Sequence, residues 1–353
     1  MKLKPFQNYL AEEEIDLTCF LSPDSNITYF TQVRPSKAAL FISPHKANFY
    51  LSHLDLKPQI KHIQTEKLPK NWLGKIDYKD IKKIGINKEK ITLRSYEELK
   101  KKFPKARFTD ISSKLKQLRL QKTPEEAEKI ARACKITTKA FNSLIDSNSL
   151  IDSFSLKNSR FKTEKDVAFF LEKFIYEKNA ELAFPIIVAC GKNSAIPHHQ
   201  TSNSKLKNGF LLLDFGACYQ NYCSDMSRML YIGKPSQKEK ELYNLLLNTQ
   251  TKLIEEISLG KKFFTLGKEA KTLLGKYSSH FIHNLGHGLG LDIHEKPSFL
   301  PEENDAVMEK NVFTIEPGIY FPNKFGLRIE DTLLFRGKTR ILTAADKELV
   351  ILK

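Results

Sequence analysis

The sequence predicts an α/β (α+β) chain in two parts, a small α/β domain over residues 1–112 and a larger domain over 113–353. Three observations predict it. Residues 1–112 alternate short apolar, β-favouring runs with polar or helical stretches. A strong helix start marks the junction. Beyond it, a weak internal echo places two helices before an acid-bearing hairpin, and does so twice. A chain of 353 residues is long enough to bury two cores.

In the N-terminal part, LTCFL, NITYFT, KAALFIS, ANFYLS and KIGIN read as strands of a mixed sheet. No ligand cluster is visible there, and His53 and His62 stand alone. The junction is KLKQLRLQKTPEEAEKI, in which Thr123 suits an N-cap, Pro124 the first helical position and Glu126 the closing residue of a capping box. The helix should run to about residue 147, with Ala127, Ile130, Cys134, Phe141 and Leu144 on one stripe. A second helix starts near Thr163 and carries Val167, Phe170, Leu171 and Phe174. Two more are expected at about 237–258 and 265–277, the first capped by Ser236 with Glu239.

Two acidic pairs carry the chemistry. Asp214 and Asp225 lie in LLLDFGACYQNYCSDMSRMLYI, and a hairpin turning at Tyr219–Gln220 would set them opposite each other. Glu316 and Glu330 lie in FTIEPGIYFPNKFGLRIEDTLLF, opposed across a turn at Pro322-Asn323-Lys324. His287, in HNLGHGLGLDIHEKP, falls between the pairs. Lone carboxylates are costly to bury in apolar strands, and four together repel one another unless cations neutralise them. Two divalent metals supply a matching charge. Many oxygens with one imidazole favour Mn, Co or Fe over a thiolate-bound structural Zn. Gly286, Gly288 and Gly290 read as permission for close backbone approach beside a ligand.

In these segments the chain resembles the pita-bread metallopeptidases, the family of methionine aminopeptidase, Xaa-Pro aminopeptidase and prolidase. The ordered ligands match Asp214, Asp225, His287, Glu316 and Glu330. The run from His283 to Pro297, EPGIY at 316–320, RIED at 328–331 and CGKNSAIPHHQ at 190–200 match its other motifs. The resemblance covers roughly residues 115–353 and, weakly, a creatinase-like N-terminal domain. It implies a catalytic domain of duplicated halves with one acidic hairpin on each side of a pseudo-twofold site.

The resemblance also implies roles. Asp225 and Glu330 would bridge two metal ions, Mn foremost, with Co, Fe or Zn as alternatives. Asp214 would complete one, and His287 with Glu316 the other, Glu316 also shuttling a proton. His294 would donate to the developing oxyanion, and His198 would contact the substrate. His283 and Tyr320 would line or support the cleft, and Arg328 would orient the carboxylates. Asn221, Ser227 and His199 depart from the family pattern, and none is expected to touch a ligand residue.

The expected activity is removal of an N-terminal residue that precedes proline, an Xaa-Pro aminopeptidase. A strict Xaa-Pro dipeptidase (prolidase) is the alternative, then methionine aminopeptidase, then a fold that binds without catalysis. A peptide with proline in second position is the expected partner, and a homodimer the expected assembly. No 18-residue apolar run offers a membrane span. The start lacks the apolar core of a signal peptide. Five cysteines without CxxC spacing read as reduced thiols, consistent with a cytoplasmic enzyme. The net charge of +16 is spread along the chain, and only Phe103 interrupts the densest lysine run. That is too little for a base-stacking platform, so no nucleic-acid partner is expected.

Overall fold

The computed structural model describes residues 2–69, 73, 78, 80–146 and 161–352. Lys75 of the basic run and the expected helix end at 147 lie outside them. The chain divides into two compact units, Met1–Leu118 and Arg119–Lys353.

The first unit opens with α1 (Leu3–Glu12), β1 (Leu17–Leu21) and α2 (Ser25–Thr31). It continues with β2 (Ala38–Ile42), β3 (Ala47–Leu51), β4 (Gln64–Lys67) and β5 (Lys83–Ile86). Then follow α3 (Leu93–Lys102), β6 (Arg107–Asp110) and the start of α4 (Ser112–Leu120). Its strands form one mixed six-stranded sheet in the order β4-β3-β2-β1-β5-β6. One expected strand is a helix: NITYFT falls within α2. The Asp24 side chain accepts from Asn26 N at 2.8 Å, which caps the segment, and Gln32 ends it in the left-handed conformation. The cap overrides the β-favouring composition.

The second unit begins its helices with α5 (Pro124–Asp146) and α6 (Glu164–Glu177). Thr123 and Glu126 close the expected capping box on α5, as Thr163 and Asp166 do on α6. After the short β7 (Glu181–Leu182) and β8 (Ile187–Cys190) comes the first hairpin. It comprises β9 (Gly209–Phe215), β10 (Ala217–Tyr219), β11 (Tyr222–Cys223) and β12 (Met226–Ile232). α7 (Gln237–Glu255) and α8 (Phe263–Leu274) follow. The second hairpin is β13 (Val312–Ile315), β14 (Gly318–Phe321), β15 (Phe325–Arg328) and β16 (Asp331–Arg336). β17 (Lys338–Ile341) and β18 (Val350–Leu352) end the chain. Two helices thus precede an acid-bearing hairpin in each half.

Strand alternation aims the acids. On β9, Leu211, Leu213 and Phe215 enter one apolar core with α5 and α6 residues. Phe210 and Leu212 enter the other, with residues of α7, α8 and the second hairpin. Side chains alternate across a strand, so Asp214 continues the face of Phe210 and Leu212. Asp225 and Ser227 continue the Met229 and Tyr231 face of β12 by the same rule. The first hairpin therefore turns its carboxylates toward the second.

Candidate metal centre

The first hairpin departs from the expected register, and the second keeps it. In the first, Asp214 stands opposite Ser227, not Asp225. The turn is Gln220–Asn221, with φ of 48° and 71°. Asn tolerates this left-handed conformation, whereas a turn at Tyr219–Gln220 would force an aromatic residue into it. The shift is two residues, so Asp225 keeps its face and lies diagonal to Asp214. In the second hairpin, Ile315↔Asp331 and Gly318↔Arg328 share one register. That register sets Glu316 across from Glu330, as expected. The ladder breaks there: Glu316 N donates to Leu285 O and Glu330 N to Ser227 O.

The acids converge on one cleft. A cavity of about 720 Å³ is lined by His198, Asp214, Asp225, His283, His287, His294, Glu316, Arg328 and Glu330. One ligand atom each from Asp225, His287 and Glu330 lies within 4.8 Å of the other two. His287 Nε2 is 3.4 Å from Asp225 Oδ2 and 3.7 Å from Glu316 Oε1. Asp214 lies against Asp225, with Oδ2 held by Arg328 at 2.5 Å. Tyr320 does not line the cavity. It is buried behind the wall, its hydroxyl 2.7 Å from Arg328 and 2.9 Å from His283 Nε2. His294 packs edge-on to His287, ring centroids 4.4 Å apart. Gly286 lies so close to the second hairpin that a Cβ there would sit 2.1 Å from Thr314 O.

The charges are out of balance. Burial, then Glu330 and Asp214, raises the Asp225 carboxyl well above its usual range. Burial and Glu330 do the same to Glu316. Glu330 itself is pushed up to about 7, by burial and then by Asp214. Asp214 Oδ1, Asp225 Oδ1 and Glu330 Oε1 are buried without a hydrogen-bond partner. Such oxygens are expensive unless something neutralises them. The donor set of four carboxylates and one imidazole therefore fits hard divalent cations.

One residue was misjudged. Ser227, set aside as a harmless departure, donates to Glu330 Oε2 at 2.8 Å and accepts from Arg328 Nε at 3.0 Å. The two-residue error in register hid it. Behind it lies a layer that sequence reasoning missed. Arg228 donates to the backbone of Glu330 and to Asp331, while Gln250 donates to Ile315 O, Ile329 O and Asp331. These contacts fix the backbone next to both glutamates. Only the regular alternation along β12 hinted at any of it. His199, the other departure beside the cleft, bonds to the buried Glu164 at 2.9 Å.

Fold and site together define a hydrolase built on carboxylate-held metal. The family follows from comparison with known proteins. Residues 128–336 match Metallopeptidase family M24 and residues 2–121 match the Creatinase/Prolidase N-terminal domain. The chain belongs to metallopeptidase family M24. It is 31% identical over 357 residues to an Xaa-Pro dipeptidase of Pyrococcus horikoshii, covering 99% of this chain and 98% of that protein. The crystal structure of the Pyrococcus horikoshii prolidase superposes with a TM-score of 0.87 at 30% identity, covering 99% of each chain. The X-Pro aminopeptidase of Thermotoga maritima superposes with a TM-score of 0.88 at 28% identity, covering 98% of each chain. A creatinase-type N-terminal domain followed by a pita-bread catalytic domain is thus the architecture, and the family implies divalent metal ions. All five cysteines are buried free thiols. No helix among the described residues is long and apolar enough to cross a membrane.

Proposed function

We propose that the chain is an Xaa-Pro dipeptidase, hydrolysing the bond between an N-terminal residue and a C-terminal proline. The observation that carries hydrolysis is the cluster of buried carboxylates with unpartnered oxygens around His287. The dipeptidase reading stands ahead of the aminopeptidase, because the full-length relative at 31% identity is named for that activity. The aminopeptidase remains the second reading, supported by the Thermotoga maritima structure.

Asp214, Asp225, His287, Glu316 and Glu330 would together hold the cations. When bound, a divalent pair lowers the pKa of water to about 7 and polarises the scissile carbonyl. The remaining work falls to side chains. Glu316, on the cleft wall, takes a proton from the attacking water and passes it to the proline nitrogen. Burial, then His287 and His198, lowers His294 to about 4, so its ring is a neutral donor at neutral pH. From the cleft wall it donates to the carbonyl oxygen as charge develops there. His198 contacts the group beyond the scissile bond. Phe184, Pro185, Ile186, Ile187 and Ile293 give the cleft an apolar side. A prolyl nitrogen has no N–H, and this side leaves no buried acceptor waiting for one.

The test is turnover of Ala-Pro, Ala-Pro-Ala and Met-Ala-Ser with Mn and with chelator. Chelation should abolish activity, and Mn or Co should restore it. Ala-Pro should exceed both tripeptides by at least about tenfold in kcat/KM, roughly 1.4 kcal/mol. Faster cleavage of Ala-Pro-Ala would return the aminopeptidase to first place. Equal cleavage of Met-Ala-Ser would end the proline reading.

A further inference from the structure

A second ionic cluster lies beside the cleft and takes no part in the chemistry above. Arg119 Nη2 donates to Asp292 Oδ2 at 2.8 Å and also to Glu295 Oε2. Lys122 Nζ lies 2.8 Å from Glu295 Oε1 and donates to Arg119 O at 2.7 Å. The side chains of Lys122, Glu295 and Arg119 are 1%, 7% and 9% exposed, so these charges are largely out of water. Asp292 and Glu295 bracket only Ile293 and His294, and both of those residues line the cleft. The two cations therefore grip both ends of the segment that presents His294.

The grip is itself anchored. Lys122 N donates to Lys310 O at 2.9 Å, and Asn311 Nδ2 donates to Leu120 O at 3.1 Å. The loop is tied across its base by Gly288 N to Pro297 O and Glu295 N to Gly288 O. Gly290 leaves room for the clamp, since a Cβ there would stand 2.2 Å from Glu295 Oε1 and 3.0 Å from Lys122 Cε. Two cations meet two anions, so the cluster is balanced. Stability alone does not call for it, because apolar side chains of similar volume generally stabilise a buried site as well or better. What charges add is direction. One nitrogen of the planar Arg119 guanidinium, Nη2, reaches both carboxylates at once, so its position sets the distance between Asp292 and Glu295, while Nε is buried without a partner.

We propose that Arg119 and Lys122 are positioning residues, which hold the Asp292–Glu295 segment so that His294 meets the developing oxyanion; the inference rests on the oxyanion role of His294. Lysine at 119 would keep the charge but lose the reach and the planar head that put one nitrogen between both carboxylates. The test is a double-mutant cycle on the Mn-loaded enzyme with Ala-Pro. Arg119→Lys should lower kcat roughly 10–100-fold, with KM and metal content near wild type, as expected for a small misplacement. His294→Ala should lower kcat by at least as much. The double variant should match His294→Ala within about twofold, because a misplaced and an absent imidazole are equivalent. Independent, multiplying losses would overturn the proposal, as would loss of metal or an unchanged kcat in Arg119→Lys. Wild-type kcat in His294→Ala would remove the oxyanion reading and this inference with it. Should Arg119→Lys not fold, Asp292→Asn, at the corner that is 27% exposed, runs the same cycle with the same expected pattern.

Discussion

Two buried ionic clusters lie in the same unit of this chain, and they are built on opposite terms. Around Glu330, four carboxylates face one guanidinium and two imidazoles, those of His287 and His283. Three of their oxygens are buried without partners, and three carboxyls are pushed up in pKa. Around Glu295, two carboxylates meet two cations. The first arrangement is unfavourable as it stands and becomes sound only when further positive charge arrives. The second balances its charges and leaves only Arg119 Nε without a partner. The difference teaches where to look for a ligand: at the cluster that fails to balance itself.

The largest effect should come from making the unbalanced cluster less acidic. Asp225→Asn removes one of the proposed anionic ligands. Its kcat/KM for Ala-Pro should fall by at least about 10³-fold, ~4 kcal/mol, together with bound metal measured by elemental analysis. A variant that keeps its metal and most of its activity would show that Asp225 is not among the ligands.

The comparison is sharper in stability, where the two clusters should respond with opposite sign. Glu295→Gln leaves Arg119 and Lys122 short of counter-charge and should cost about 3 kcal/mol by denaturant titration. Glu330→Gln in metal-free protein relieves repulsion instead. Its sign follows from the raised carboxyl, which moves from an ordinary 4.5 to about 7 in the fold. The folded state then holds the proton more tightly than the unfolded chain. The stabilisation is complete below 4.5 and is lost as pH rises through about 7. Metal-free wild type should therefore melt at lower temperature at pH 8 than at pH 5. Glu330→Gln should flatten that slope, and added Mn should reverse it, because cation binding expels the protons. A metal-free wild type as stable at pH 8 as at pH 5 would mean that the acids are not crowded as described.

Much of this was legible in the residues, for definable reasons. Carboxylates in strand-like sequence are conspicuous, so Asp214, Asp225, Glu316 and Glu330 stood out. The turn Pro322-Asn323-Lys324 fixed the second hairpin, where Phe321↔Phe325 closes the ladder. The first hairpin was misread by two residues because Gln220–Asn221 is a less obvious turn than one with glycine or proline. Period-two alternation then preserved the face, so the site survived the error while Ser227 did not. NITYFT was misread because a single cap at Asp24 outweighed five β-favouring neighbours. The Arg119 clamp could not be read at all: its partners lie more than 170 positions away, and no periodicity links them.

Ser227 offers the smallest test and the most specific one, because it joins Arg328 to Glu330 inside the unbalanced cluster. Its hydroxyl is fully buried and makes both bonds at once. Ser227→Ala leaves Arg328 Nε and Glu330 Oε2 each short of a partner, at a stability cost of about 1–3 kcal/mol. Donation from Ser227 also favours the charged form of Glu330, opposing burial and Asp214. Without it the carboxyl should hold its proton to still higher pH. In metal-free protein the pH at which stability is lost should then move upward. Ser227→Thr keeps the hydroxyl, so its metal-free pH–stability curve should coincide with wild type. An unmoved curve in Ser227→Ala would place the hydroxyl outside the proton balance of the cluster, leaving it only a packing role.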